Sequence, residues 1–187
     1  HLTDGRAGQS QYVLPGRERD MIKRIVAFVL LASAVVTANA ANLKPVTADI
    51  ATPELVLTDL QGNTHDLKDY EGHIVLVQFW ATYCGPCRKE MPSMNKMQEK
   101  MGDVPFKILA VDMGETKDEV VAFVNEVKPE FTILMDEEGK SIGDWKVFAA
   151  PSNFIVGPDG KIKYTLFGGV EWDSDELIDK LKALAAN

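Results

Sequence analysis

Residues 79–90, FWATYCGPCRKE, contain both cysteines of this 187-residue chain, Cys84 and Cys87. They follow the apolar run 73–80, which predicts a buried strand, and they open a segment that predicts a helix from Cys87 to about Met101. At a strand-to-helix junction, unpaired backbone N–H groups and the helix dipole stabilise a thiolate. The position of the pair therefore indicates reactive rather than structural cysteines.

The C-x-x-C spacing suits thiol–disulfide exchange, which needs an attacking thiolate and a second thiol that resolves the mixed disulfide. Cys84 at the first turn is the predicted nucleophile, and Cys87, one turn later, is the predicted resolving thiol. Pro86 fixes φ and fits the first helical turn, so the spacer is stiff. A ring this small restricts the unfolded chain little and is a poor structural staple.

Metal binding is the main alternative, because C-x-x-C is also half of many zinc sites. No third cysteine completes such a site, and His65 and His73 have no ligand spacing with the pair, so no metal is expected. A copper metallochaperone remains an alternative, since methionines recur at near-helical spacing and thioethers bind Cu(I). That spacing is more typical of core packing, and no histidine follows His73 to supply a third soft ligand. The methionines are Met91, Met94, Met97 and Met101.

The first forty residues carry the marks of an export signal. Basic residues follow Met21, the apolar run 25–36 comes next, and Ala38-Asn39-Ala40 forms a small-residue cleavage site. We expect residues 1–20 to be an upstream artefact, residues 21–40 to be a signal peptide cleaved near Ala40, and residues 41–187 to form one domain. The alternative is an uncleaved membrane anchor at 25–36, although that run is shorter than the roughly 20 residues that span a bilayer.

Composition sets further limits on function. The chain is 45% hydrophobic and 26% charged, which is ordinary for a globular protein. Residues 41–187 hold 15 basic and 25 acidic residues, a formal charge of −10, which disfavours nucleic-acid partners. No nucleotide-binding fingerprint is present, so no cofactor is expected. An exported chain meets an oxidising compartment, where such a pair is expected to form its disulfide.

The remaining pattern alternates strands and helices and predicts an α/β sandwich with a mixed sheet. Residues 41–53 are expected to be irregular, Pro92 to kink the first helix, and Ser174 to cap the last helix. The predicted hairpins are 55–57 with 64–67 and 152–156 with 161–167. The other predicted strands are 74–80, 106–112 and 131–135, and the other predicted helices are 117–128 and 140–145.

Residues 80–87 resemble the active-site motif of the thioredoxin superfamily, and the run through Pro92 resembles the exported TlpA/ResA-like thioredoxins. The resemblance covers about residues 50–187, including a helix and strand near 116–145 that match the insertion of this branch. It implies a thioredoxin-like sandwich with a mixed central sheet flanked by helices, an N-terminal β-hairpin and a central insertion. It also implies a cis proline at Pro151 that faces the dithiol, with the backbone of Ala150 pairing with an extended substrate.

Two positions depart from thioredoxins proper. Gln78 stands where they have a buried, titratable aspartate, while Glu90 matches the glutamate of the TlpA/ResA-like branch. A half-buried Glu90 would have a raised pKa and serve as base for Cys87, whereas a solvated Glu90 would have no such role. Tyr83 replaces the usual tryptophan before the first cysteine. The resemblance further places Trp80, Tyr83 and Pro86 at the substrate-binding rim.

The resemblance implies an enzyme, a thiol–disulfide oxidoreductase that reduces protein disulfides. Its expected partners are disulfide-bearing proteins and a membrane thiol-transfer protein that donates electrons, with the chain itself a monomer. Cytochrome c maturation is a task of relatives that the sequence does not select, and the direction of electron flow stays open. A peroxidase using Cys84 is a weaker alternative, because the Pro/Thr/Cys pattern of that family is missing.

Overall fold

The computed structural model describes residues 43–186, and its centre is a completely buried strand. This strand, β4 (Ile74–Trp80), pairs parallel with β5 (Phe106–Asp112) and antiparallel with β7 (Ser152–Val156). A strand buried on both faces reads as a continuous apolar run, which is the pattern that predicted it. The expected signal peptide, membrane anchor and upstream residues lie outside the described residues.

The sheet has eight strands in the order β1-β8-β7-β4-β5-β6-β2-β3 and mixes parallel and antiparallel pairs. The remaining strands are β1 (Lys44–Pro45), β2 (Val56–Asp59), β3 (Thr64–Asp66), β6 (Thr132–Met135) and β8 (Ile162–Phe167). The helices are α1 (Gly85–Met101), α2 (Lys117–Val127), α3 (Lys140–Asp144) and α4 (Asp175–Lys182). Short 3-10 helices span Leu67–Tyr70 and Ala183–Ala186. The predicted thioredoxin-like fold class is confirmed.

Helices α1, α2 and α4 pack on one face of the sheet. Their core contains the four methionines of α1, which are at most 1% exposed, so the methionine stripe is core packing. The other face holds a second core in which the ring centroids of Trp145 and Phe154 lie 5.0 Å apart. The sheet is therefore covered on both faces, and the dithiol belongs to the helical side.

Three local predictions need correction. Helix α1 begins at Gly85 rather than Cys87, because Cys84 is its N-cap. The segment expected to be irregular contains β1, which pairs antiparallel with β8. Ser174 occupies the N-cap position of α4, but its side chain makes no cap hydrogen bond. Pro92 lies inside α1 as predicted. Within residues 43–186, no helix is long and apolar enough to cross a membrane.

Candidate active site

Cys84 and Cys87 are joined by a disulfide at the N-terminus of α1, with an S–S distance of 2.16 Å and 5.3 Å between the Cα atoms. Cys84 is the N-cap residue, and its Sγ accepts a hydrogen bond from the Cys87 N–H at 3.2 Å. Pro86 occupies the first helical turn, where a missing N–H costs no helical hydrogen bond. The same backbone N–H and the helix dipole would stabilise a thiolate at Cys84.

The two cysteine residues differ in access to solvent. Cys84 is 7% exposed and Cys87 is 0% exposed, since Cys87 faces the core beneath the first turn of the helix. An external disulfide therefore has access to Cys84 only, while Cys87 lies in position to attack Cys84 from within. This asymmetry matches the roles assigned to them from the spacing.

Glu90 lies one turn beyond Cys87 on the same helix and is only 2% exposed. Its Oε2 accepts the Val170 N–H at 2.9 Å, and its Oε1 accepts a hydrogen bond from the Gln78 amide. Burial raises the pKa of Glu90 to about 7, although these hydrogen bonds oppose the shift. The interpretation of Glu90 as a solvated helix residue is wrong. Near neutral pH its carboxyl group is able to take up or release a proton beside the dithiol.

Gln78 supports Glu90 from the centre of the sheet. It is 0% exposed, and its Nε2 also lies 3.3 Å from the Met94 sulfur. Across the sheet it pairs in register with Asn153, whose amide donates to the Leu166 carbonyl at 3.2 Å. The Gln78 side chain is a neutral amide and cannot titrate. In its contact with Glu90, the titratable group is therefore Glu90.

The loop before β7 enters the sheet at the same edge as the dithiol. The Ala150–Pro151 peptide bond is cis, as predicted. Ser152, which follows it, is in register with Phe79 of β4, the strand that leads to Cys84. Ala150 is half-buried and Pro151 is buried.

The predicted rim residues differ in exposure. Tyr83 is 78% exposed and Pro86 is also exposed, so both have surface to offer a substrate. Trp80 is 0% exposed, and its ring packs at 4.7 Å from the Phe123 ring, measured between centroids. Trp80 therefore packs in the core at the start of residues 81–84, which we call the dithiol loop. It has no exposed surface for a substrate.

A groove of about 620 Å³ opens beside the dithiol, with Glu90 in its wall. A side chain at Gly169 would place its Cβ 3.2 Å from the Pro86 Cβ, so a larger residue would crowd this wall. The other lining residues are Pro86, Lys89, Val170 and Glu171. Val170 and Glu171 were missed from the sequence, because they lie about eighty residues from Glu90 with no local signal.

Ser93 is a second residue that the sequence did not indicate. Its hydroxyl donates to the Glu90 carbonyl at 2.7 Å and accepts the Trp172 N–H at 3.0 Å. This bridge ties helix α1 to the segment that contains Val170. It holds the Val170 N–H in position for Glu90.

Comparisons with known proteins give one consistent assignment. Residues 49–165 match the model of the AhpC/TSA family. The chain is 37% identical over 132 residues to the thiol-disulfide oxidoreductase ResA of Bacillus thuringiensis, covering 71% of this chain and 75% of that protein. It is 33% identical over 156 residues to ResA of Geobacillus thermodenitrificans, covering 81% and 90%.

A solved structure agrees with these sequence relatives. A Chlorobium tepidum protein named thiol:disulfide interchange protein DsbE superposes with a TM-score of 0.66 and 30% identity, over 72% of this chain and 95% of that chain. The site described above has the dithiol that such chemistry needs. The chain therefore belongs to the AhpC/TSA family and is a thioredoxin-fold thiol–disulfide oxidoreductase related to ResA.

Proposed function

We propose that the protein is an extracytoplasmic reductase of protein disulfides. The observation that carries this proposal is the unequal exposure of the two cysteines, 7% for Cys84 and 0% for Cys87, with the buried acid Glu90 on the same helix. In the reduced protein, the Cys84 thiolate attacks one sulfur of a substrate disulfide and forms a mixed disulfide. The other substrate sulfur leaves as a thiolate and takes up a proton.

Cys87 completes the reaction. Its thiol gives a proton to the Glu90 carboxylate and then attacks Cys84 Sγ, which breaks the mixed disulfide. The second substrate sulfur leaves as a thiolate, so the substrate gains two electrons and the Cys84–Cys87 disulfide forms. A donor must return those two electrons, and we assign this role to a membrane thiol-transfer protein. The protein itself acts as a monomer.

Substrate binding is proposed at the surface around Cys84. The exposed Tyr83 and Pro86 flank Cys84 in the chain. The Ala150–Pro151 loop enters the sheet at the same edge. An extended chain that pairs with the backbone of Ala150 would present its disulfide to Cys84. Cytochrome c maturation, in which the substrate would be the disulfide of an oxidised apocytochrome, is one function that this arrangement suits.

The export of the protein rests on its sequence. Residues 21–40 have the basic start, apolar run and small-residue site of a signal peptide. Outside the cytoplasm the dithiol would need continuous reduction, which is why the proposal includes a membrane donor.

No observation favours the copper alternative. The side chains of the α1 methionines are buried in the core and present no sulfur to a metal at the surface. Within the part of the chain that the structure describes, no three His, Cys, Asp or Glu side chains are grouped as metal ligands.

The direct test is to trap the mixed disulfide. The reduced Cys87→Ser variant is expected to form a stable covalent complex with a disulfide-bearing protein such as insulin, visible on a non-reducing gel. The Cys84→Ser variant is the matched control and is expected to form none. Equal trapping by both variants would contradict the assigned roles.

The redox potential of the Cys84–Cys87 pair tests the direction of electron flow. A value of about −120 mV would contradict the proposal that the protein is a reductant, because values of that size belong to oxidants.

A further inference from the structure

A second buried acid, Asp112, lies close to the dithiol loop on the opposite side from Glu90. Asp112 ends β5 and is 0% exposed. It is in register with Trp80, the last residue of β4, and the Trp80 carbonyl accepts the Met113 N–H at 2.9 Å. Asp112 therefore lies beside the point where the chain leaves the sheet towards Cys84.

Glu115 connects Asp112 to that loop. The Glu115 N–H donates to Asp112 Oδ1 at 2.9 Å. The Glu115 carboxylate accepts the Thr82 N–H at 2.7 Å and also accepts a hydrogen bond from the Thr82 hydroxyl. Thr82 stands two residues before Cys84, so these contacts bind the loop to residues more than thirty positions away.

The surroundings of Asp112 favour its protonated form. Asp112 Oδ2 is buried and has no hydrogen-bond donor among the described residues. Because the Glu115 carboxylate already accepts two hydrogen bonds from Thr82, the proton belongs on Asp112. Burial, followed by the hydrogen bond and negative charge of Glu115, raises the pKa of Asp112 to about 8.

The surrounding charges do not offset this shift. Glu119 in the first turn of α2 adds negative charge and raises the pKa of Asp112 further. Arg88, a cation in the first turns of α1, pairs with Glu126 at 2.7 Å. Asp136, which follows β6, is another acid at this edge of the sheet, and its Oδ2 accepts the Ile142 N–H at 3.0 Å.

We infer that Asp112 and Glu115 are positioning residues: the Asp112 carboxyl group holds the Glu115 backbone, and the Glu115 carboxylate holds, through Thr82, the loop that presents Cys84. The inference rests on the proposed role of Cys84 as the sulfur atom that external thiols and disulfides meet. Ionisation of the buried Asp112 would place a second negative charge near the half-buried Glu115, and their repulsion would move Glu115 away from Asp112. The two hydrogen bonds from Thr82 would then weaken, and the loop would lose its fixed position.

The test uses the oxidised protein, in which neither cysteine titrates. Reduction by dithiothreitol is followed from pH 6 to 10, and each rate constant is divided by the fraction of dithiothreitol present as thiolate. All variants carry Glu90→Gln, so that Glu90 contributes no step. In this background we expect the corrected rate constant to fall by at least about threefold across a step near pH 8, because a displaced loop misaligns Cys84.

Two variants separate this role from a merely structural one. Asp112→Asn, which cannot ionise, is expected to abolish the step. Glu115→Gln removes the negative neighbour and is expected to move the step by about 1 pH unit towards acid. Asp136→Asn is the matched control, since Asp136 is also a buried acid at this edge but its carboxylate binds the Ile142 N–H instead of the segment beside Thr82, and it is expected to keep the step.

Each other result contradicts the inference. A step that persists in Asp112→Asn, or that stays in place in Glu115→Gln, would show that another group titrates and that the pair does not position the loop. If dithiothreitol fails to reduce the disulfide in every variant at every pH, the proposed role of Cys84 is wrong and the positioning role falls with it. A reducible disulfide with a flat profile contradicts the positioning role alone.

Discussion

Glu90 is an acid whose surroundings, rather than its residue type, set its protonation. It is 2% exposed, and its pKa is raised to about 7 because burial disfavours the charged form. The carboxyl group nevertheless keeps two hydrogen-bond donors, Val170 N–H and the Gln78 amide, which hold its oxygen atoms in place. A base with a pKa near the working pH is efficient at proton transfer, and this is the role expected for the acid next to Cys87.

Replacement of Glu90 by glutamine tests that role. Glu90→Gln keeps the shape of the side chain but cannot accept the Cys87 proton, so we expect disulfide exchange at pH 8 to slow by about a hundredfold. The wild-type rate constant should rise with pH through about 7 as Glu90 ionises, and the variant should lack that rise. The measurement is the rate–pH profile of insulin reduction by the reduced protein.

Glu99→Gln is the matched control, because Glu99 lies on the exposed side of the same helix. It is expected to leave the profile unchanged. A wild-type profile in Glu90→Gln would mean that Glu90 has no role as a base.

The sequence allowed only part of this site to be predicted. The spacing of Cys84 and Cys87 at the start of one helix indicated their roles, whereas Glu90 was indicated by the resemblance to the TlpA/ResA-like thioredoxins. Glu115 contacts Thr82 across 33 residues and Val170 contacts Glu90 across 80, and no local pattern predicts such pairs. Asp112 was not predicted for another reason. In the sequence it is simply the polar last residue of an apolar run, which gives no sign of a functional role.

The helices differ in how their first turns are satisfied. Thr116 caps α2 with a capping box: the Thr116 side chain accepts the Glu119 N–H, and the Glu119 carboxylate accepts the Thr116 N–H at 2.9 Å. Ser174 has the same position at α4 but makes no such hydrogen bond. The two helices therefore offer a matched comparison in one protein.

We expect Thr116→Ala to lower the free energy of unfolding by about 1 kcal/mol, since it leaves the Glu119 N–H of α2 without its side-chain partner. Ser174→Ala is expected to change it by less than about 0.5 kcal/mol, because no cap hydrogen bond is lost. Urea denaturation of the oxidised variants gives both values. Equal losses in the two variants would contradict the assigned difference in capping.

Strands and helices were more predictable than their ends and their partners. The continuous apolar run predicted β4, and the turn at 157–160 predicted the β7–β8 hairpin, because both signals are local. Strand β1 was missed, since its two residues pair with Tyr164 and Thr165 about 120 positions away. The prediction that the Ser174 side chain caps α4 was wrong. Residue type sets the tendency to cap, while the local geometry decides whether the hydrogen bond forms.

Buried acids also shape the stability of the protein as a whole. Glu90 and Asp112 have pKa values raised to about 7 and about 8, so both bind protons more tightly in the folded state than in the unfolded state. The stability they contribute is complete below their unfolded pKa values and is lost as pH rises through the folded values. Asp59 acts in the opposite sense, because its hydrogen bond to His65 lowers its pKa, and its contribution is lost as pH falls.

These signs predict a stability optimum on the acid side of neutrality. We expect the free energy of unfolding to fall between about pH 5 and about pH 9, with Glu90 contributing at most about 3 kcal/mol to the decrease. Urea denaturation of the oxidised protein at several pH values measures it, and Glu90→Gln is expected to flatten the decrease up to pH 7. Glu99→Gln should follow the wild type. A constant stability from pH 5 to 9 would mean that neither acid binds its proton more tightly in the folded protein, whereas a decrease that survives Glu90→Gln but disappears in Asp112→Asn would assign it to the pair beside Thr82.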